Sequence, residues 1–198
     1  MWVAAARAGN VIGGGDWAAD RLVPDAMRAF LGGRTLTVRN DRSTRPWQHV
    51  LEPLCGYLTL GAQLDFGRFS TAYNFGPRTA TVKTVGELVR EVMRHFAAPK
   101  FENRTDPQAP PEAKLLTLNS GKARRLLGWA PRWTFRETVR HTVEWYQAVA
   151  AGGSAREITD RQIALFVQRR EAPVSGARVP AASLQSAQAV NSMDKKQT

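Results

Sequence analysis

The chain has 198 residues, enough for one or two domains with a core that is stable alone. Hydrophobic residues make up 43%, with six Trp and eight Phe, which excludes a disordered polymer, and the single cysteine, Cys55, excludes an intrachain disulfide and a cysteine-cluster zinc site. The formal net charge of +11 admits nucleic acid, an anionic surface or a phosphorylated small molecule as partner, but the arginines are spread out, with only short pairs such as Arg124-Arg125 and no basic stripe interleaved with aromatics.

Residues 2–8, WVAAARA, read as a largely buried strand of a parallel sheet. Residues 9–17 form a glycine-rich loop. From Asp20, DRLVPDAMRAFLGG predicts a helix that tolerates Pro24 in its first turn and stops at Gly32-Gly33. TLTV, residues 35–38, is a short strand, and the Arg-dense loop RNDRSTRP follows. Residues 48–64 place Val50, Leu51, Leu54, Leu58 and Leu64 at helical spacing. TAYNFGP, residues 71–77, is a strand ending in a turn.

Thr84 with Glu87 predicts a capping box that opens an amphipathic helix with Val85, Leu88, Val89, Val92 and Phe96 on one face. KFENR, residues 100–104, is a candidate strand, and a Pro-rich connection, TDPQAPPEA, comes next. NSGKARRLLGW predicts a short helix stopped by Gly128. Thr134 with Glu137 predicts a second box, opening a helix whose buried stripe is Phe135, Val139, Val143 and Tyr146. Residues 156–168 are a weaker helix, and residues 171–198, rich in Ala, Ser and Gln, predict a disordered tail. Alternating strands and helices indicate an α/β fold. The absence of a secretory leader and of a membrane-length apolar run, with one cysteine, points to a cytoplasmic protein and no membrane partner.

The glycine loop fails two phosphate-binding templates. Gly9 is followed five positions later by Gly14, but Gly15 stands where a phosphate-binding loop needs its lysine. Gly13 and Gly15 do not open directly into a helix, as a dinucleotide fingerprint requires. A permissive turn remains as one reading. Asn10 offers a donor and an acceptor after a strand, Arg21 precedes a helix, and Arg39 and Arg45 lie in the polar loop beside Trp47. Arginine forks hold phosphate oxygens in pairs, so these residue types suit a nucleotide diphosphate bound without a metal. His49, Trp129 and Trp133 read as structural, and Cys55 as a small core residue.

The stretches ARAGNVIGGGDWAADRLVPD, RPWQHVLEPLCGYLTL, YNFGP and LNSGKARRLLGWAPRW, in this order, resemble the CDP-glucose 4,6-dehydratases, a branch of the extended short-chain dehydrogenase/reductase family. Relatives acting on dTDP- or UDP-sugars usually carry a YGP variant of the first block and an aspartate where Glu52 stands. The resemblance covers roughly residues 2–168. It implies the carboxyl-terminal part of a Rossmann-type fold interleaved with a small nucleotide-sugar-binding domain over residues 1–170. It also implies NAD as cofactor, a CDP-sugar as ligand and a homodimer for the whole enzyme. The implied reaction moves a hydride from C4 of the glucose unit, loses water across C5 and C6, and returns the hydride to C6. The product is a CDP-4-keto-6-deoxyglucose for polysaccharide biosynthesis.

Carried over residue by residue, Asn10 meets the sugar diphosphate, Arg21 and Leu22 border the nucleotide, Val38, Arg39 and Asn40 lie beside the base, and Arg45 grips the pyrophosphate. The family's glycine fingerprint and its Tyr-x-x-x-Lys pair have no counterpart: Tyr57 is followed four residues on by Gly61, Tyr73 by Pro77 and Tyr146 by Ala150. No catalytic residue is therefore assigned. The expectation is the carboxyl-terminal half of such an enzyme, with Met1 an internal or misassigned start, catalytically silent and poorly soluble alone. A nucleotide-binding module without chemistry and a basic nucleic-acid binder stay open as alternatives.

Overall fold

The computed structural model describes residues 2–64, 69–78, 82–104 and 117–169. The Pro-rich connection and the tail expected at residues 171–198 lie outside these. In chain order the elements are β1 (Ala5–Ala8), β2 (Val11–Ile12), α1 (Leu22–Leu31), β3 (Thr35–Val38), β4 (Thr44–Arg45), β5 (Gln48–His49), α2 (Leu51–Gly61), β6 (Ala72–Phe75), β7 (Lys83–Thr84), α3 (Val85–Met93), β8 (Lys100–Asn103), α4 (Gly121–Leu127), α5 (Phe135–Ala150) and α6 (Ala155–Gln168). Among the described residues no helix is long and apolar enough to cross a membrane.

Among the described residues three of the four strand pairs are parallel: β1 with β6, β2 with β5 and β3 with β8. The antiparallel pair, β4 with β7, sets Arg45 opposite Lys83. Parallel pairing needs crossovers, and helices supply them over the sheet faces. One core gathers Met27, Phe30, Leu36, Val38, Leu88, Val92, Val139, Val143 and Tyr146 between α1, β3, α3 and α5. A second gathers Leu60, Tyr73, Phe75, Leu127 and Trp129 between α2, β6 and α4, with Cys55 partly buried against it.

Both capping boxes form, each with the Thr side chain accepting the N3 amide and the Glu carboxylate accepting the N-cap amide. Thr134→Ala is expected to cost about 1 kcal/mol, read as a melting temperature lowered by about 2–4 °C. A melt unchanged by Thr134→Ala would show that α5 is held by packing alone.

Three expectations need correction. The strand expected buried at residues 2–8 spans Ala5–Ala8 and leaves Ala5, Ala6 and Arg7 exposed. Trp2 and Val3 beside it are 61% and 62% exposed. Among the described residues β1 pairs on one edge only, and small apolar side chains are buried by neighbours, not by their own composition. The helix expected from Asp20 starts at Leu22, because Asp20 is left-handed, with φ 61°, and Arg21 is extended. The run expected as one helix over 48–64 is split, since Gln48 and His49 pair with Val11 and Ile12.

Glu52, on the first turn of α2, is 1% exposed. Its carboxylate accepts from the Arg132 amide at 2.9 and 3.0 Å and from the Trp133 amide at 2.7 Å. Its backbone oxygen accepts from Trp129 Nε1 at 3.1 Å. One residue thus ties α2 to the segment that enters α5. Burial pushes the Glu52 carboxyl up to about 7, against the pull of those amides.

Candidate functional site

The strands β2 and β3, Arg45 of β4 and the first turn of α1 border a hollow of about 1160 Å³. Asn10, Arg21, Leu22, Val38, Arg39, Asn40 and Arg45 all line it. Asn10 is brought there by its backbone oxygen, which accepts from the Gln48 amide at 3.0 Å. This junction requires a glycine before it: a Cβ on Gly9 would stand 2.7 Å from Pro46 Cγ. Asn10 and Arg45 therefore belong to two segments that pass in close contact.

The electrostatics follow from the lining. Arg21, Arg28, Arg34, Arg39 and Arg45 face Asp16, Asp20 and Asp25, an excess of two positive charges. Arg21 donates to Asp16 at 3.0 Å, and Arg39 lies 3.4 Å from Asp20. Arg28 pairs with Asp25. The Ala18 amide, ahead of the Arg21 guanidinium, holds the Asp16 carboxyl below its usual value. Exposed pairs of this kind are weak, so an incoming anion can exchange for the carboxylates at little cost. Arg45 donates to the Thr44 carbonyl oxygen at 2.9 Å. Asn40 Oδ1 accepts from the Arg42 amide at 3.1 Å, an Asx turn that fixes the segment after β3.

The apolar part of the wall comes from Leu22, Leu36, Val38, Trp47 and Val85. Trp47 is anchored by its Nε1, which donates to the Lys83 carbonyl oxygen at 3.2 Å. The hollow thus offers a flat apolar side and a cationic rim, which suits a base joined to phosphates.

Arg28, Arg34 and Tyr146 also line the hollow, and the sequence alone did not single them out. Arg28 stands three residues after Asp25, a spacing that reads as a solvated helix face, and Tyr146 lies in an apolar stripe that reads as core. Only the folded chain shows the other end of each side chain. His49 is 1% exposed and lies outside the lining. Its Nδ1 accepts from the Leu51 amide at 3.3 Å, its ring meets Trp133 at 4.6 Å, and burial pushes its pKa down to about 3.

The glycine loop does not form a dinucleotide fingerprint. The glycine loop is followed by α1 only at Leu22, and no side chain of Arg21 caps that helix. Gly9 is spent on the approach to Pro46, and a Cβ on Gly14 would stand 2.1 Å from the Trp145 ring. Both glycines thus serve packing within the chain and not a turn that opens directly into a helix.

The chain is 43% identical over 165 residues to the CDP-glucose 4,6-dehydratase of Salmonella typhimurium, a match that covers 80% of this chain and 46% of that protein. It spans about half the length of the curated relatives it matches. Among solved structures it superposes on the dTDP-glucose 4,6-dehydratase of Bacillus anthracis in complex with NAD, with a TM-score of 0.60 and 22% identity over 79% of this chain and 47% of that one. It also superposes on MoeE5 in complex with UDP-glucose and NAD, with a TM-score of 0.62 and 20% identity over 75% of this chain and 48% of that one. No family model matches the chain. The likeness bears out the expected fold: a carboxyl-terminal part of the Rossmann-type dehydratase and epimerase architecture.

Proposed function

For a chain that is similar to the CDP-glucose 4,6-dehydratases and folds as the carboxyl-terminal part of their architecture, we propose that it is the substrate-binding portion of such an enzyme. Its ligand is a CDP-sugar, in the formation of deoxysugars. The observation that carries this reading is the meeting of Asn10 and Arg45, with five other residues of the expected set, at one cationic hollow. The excess of two positive charges opposes the two charges of a sugar diphosphate.

In this reading Arg45 and Arg21 bind the diphosphate and Asn10 hydrogen-bonds at the phosphate-to-sugar junction. Val38, Leu22 and Trp47 carry the base, with Arg39 and Asn40 at its edge. NAD supplies hydride acceptance in such enzymes. The glycine fingerprint and the Tyr-x-x-x-Lys pair of such enzymes have no counterpart in this sequence, so the chain alone is expected to bind the sugar nucleotide without turning it over.

Calorimetry with CDP-glucose, UDP-glucose and dTDP-glucose tests the reading. Binding with preference for the cytidine compound is expected, and Arg45→Ala is expected to weaken it about 10–100-fold, the effect of losing a hydrogen bond to a charged group. Turnover of CDP-glucose by the purified chain with added NAD would overturn the silence. The missing fingerprint also favours a second reading, a nucleotide-binding module without chemistry, and equal affinity for all three sugar nucleotides would support it. Steeply salt-dependent binding of duplex DNA with indifference to CDP-glucose would overturn both.

A further inference from the structure

The loop of residues 13–17, which forms one wall of the hollow, is held by side chains from the far end of the chain. Trp145 lies against Gly14, and its Nε1 is itself fixed on Thr159 Oγ1 at 3.0 Å. The Tyr146 hydroxyl donates to the Asp16 carbonyl oxygen. The Trp17 ring stands edge-on to the Tyr146 ring at 4.9 Å. Asp16 then passes the constraint on: its carboxylate accepts from the Ala18 amide and from Arg21 Nη1, each at 3.0 Å. Tyr146, Asp16 and Arg21 all line the hollow.

We propose that Tyr146 is a positioning residue of the hollow, whose hydroxyl sets the Asp16 backbone and, through the Asp16 carboxylate, the place of the Arg21 guanidinium. The assignment rests on the reading of the hollow as a sugar-nucleotide site. The Tyr146 ring is buried in the main core, a task that phenylalanine would perform equally. The hydroxyl is what the core does not need. Burial, ahead of the nearby Asp16 charge, pushes it up to about 12, so it remains a donor at every working pH.

Tyr146→Phe removes the hydroxyl and keeps the ring. Two measurements on the whole chain decide its role: the affinity for CDP-glucose by calorimetry, and amide hydrogen exchange over residues 13–18. A positioning role predicts affinity reduced about fivefold, faster exchange confined to that loop, and unchanged exchange in β1 and β6. Asp16→Asn, which keeps the carbonyl contact but weakens the hold on Arg21, is expected to lower affinity without speeding the loop. An unchanged affinity in Tyr146→Phe, with Arg45→Ala losing its binding, overturns the proposal and leaves the site reading intact. If the unaltered chain binds no CDP-glucose, the site reading fails. Loop exchange then decides alone: acceleration in Tyr146→Phe supports the positioning, and unchanged exchange overturns it.

Discussion

Glu52→Ala is expected to leave the chain without a cooperative melt at neutral pH. The substitution strands the Arg132 and Trp133 amides, which donate to the Glu52 carboxylate. Each buried amide without an acceptor costs about 1–3 kcal/mol, so the pair alone costs about 2–6 kcal/mol. A domain holds about 5–15 kcal/mol in all. Circular dichroism should show helix retained and the sharp transition lost. A sharp melt within a few degrees of the unaltered chain would mean that water replaces the carboxylate.

Glu52→Gln keeps one acceptor and isolates the charge. With its pKa raised from 4.5 to about 7, Glu52 contributes most where it is neutral, and that contribution is lost as pH rises through 7. His49, lowered from 6.5 to about 3, behaves oppositely: its contribution is complete above 6.5 and is lost as pH falls. His141, held down chiefly by burial although Glu144 pulls the other way, adds to the His49 trend. Each group changes stability by about 1.4 kcal/mol per pH unit within its window. In the unaltered chain the two trends oppose each other between 4.5 and 6.5, so the melting temperature should change little there and fall below that. In Glu52→Gln the fall should begin at about 6.5, where His49 is no longer opposed. Parallel profiles for the two proteins would show that Glu52 is ionised throughout.

Gly14→Ala is the second large effect. Its backbone lies outside the left-handed region, so alanine would ordinarily gain about 0.4–1 kcal/mol by restricting the unfolded chain. Here the new Cβ would stand 2.1 Å from Cγ and Cδ2 of Trp145, near the root of the indole, where the ring cannot swing aside. Overpacking a core costs about 1–3 kcal/mol, and a contact this short belongs at the upper end. Steric cost wins, and the melting temperature should fall by about 4–10 °C, with CDP-glucose affinity falling alongside. A neutral or stabilising alanine would show that the loop moves freely off α5.

Much of this was legible in the residues. The two Thr and Glu pairs specify helix starts through local hydrogen bonds, and both starts stand where the sequence puts them. TLTV is β3 to the residue. What failed depends on partners far away in the chain. The two-residue strands β2, β4, β5 and β7 carry no periodicity, because two residues cannot show one; pairing across tens of residues creates them. β1 looked buried because its composition suits burial, yet the described residues cover only one of its edges. At the site, residues carried over by the resemblance meet at the hollow, while Arg28 and Tyr146 take part through contacts with Trp17, Ala18 and Asp16 that no local pattern announces.

The Tyr146 contact spans 130 positions along the chain. At about 5–20 residues per second, a ribosome needs on the order of ten seconds between making Asp16 and making Tyr146. Until α5 emerges, nothing from that helix can seat the loop, and the nascent polypeptide carries Arg21 beside an unfinished wall. The other residues that line the hollow are all made by Val85, so a ribosome stalled between Val85 and Tyr146 displays them without the helix that seats their wall.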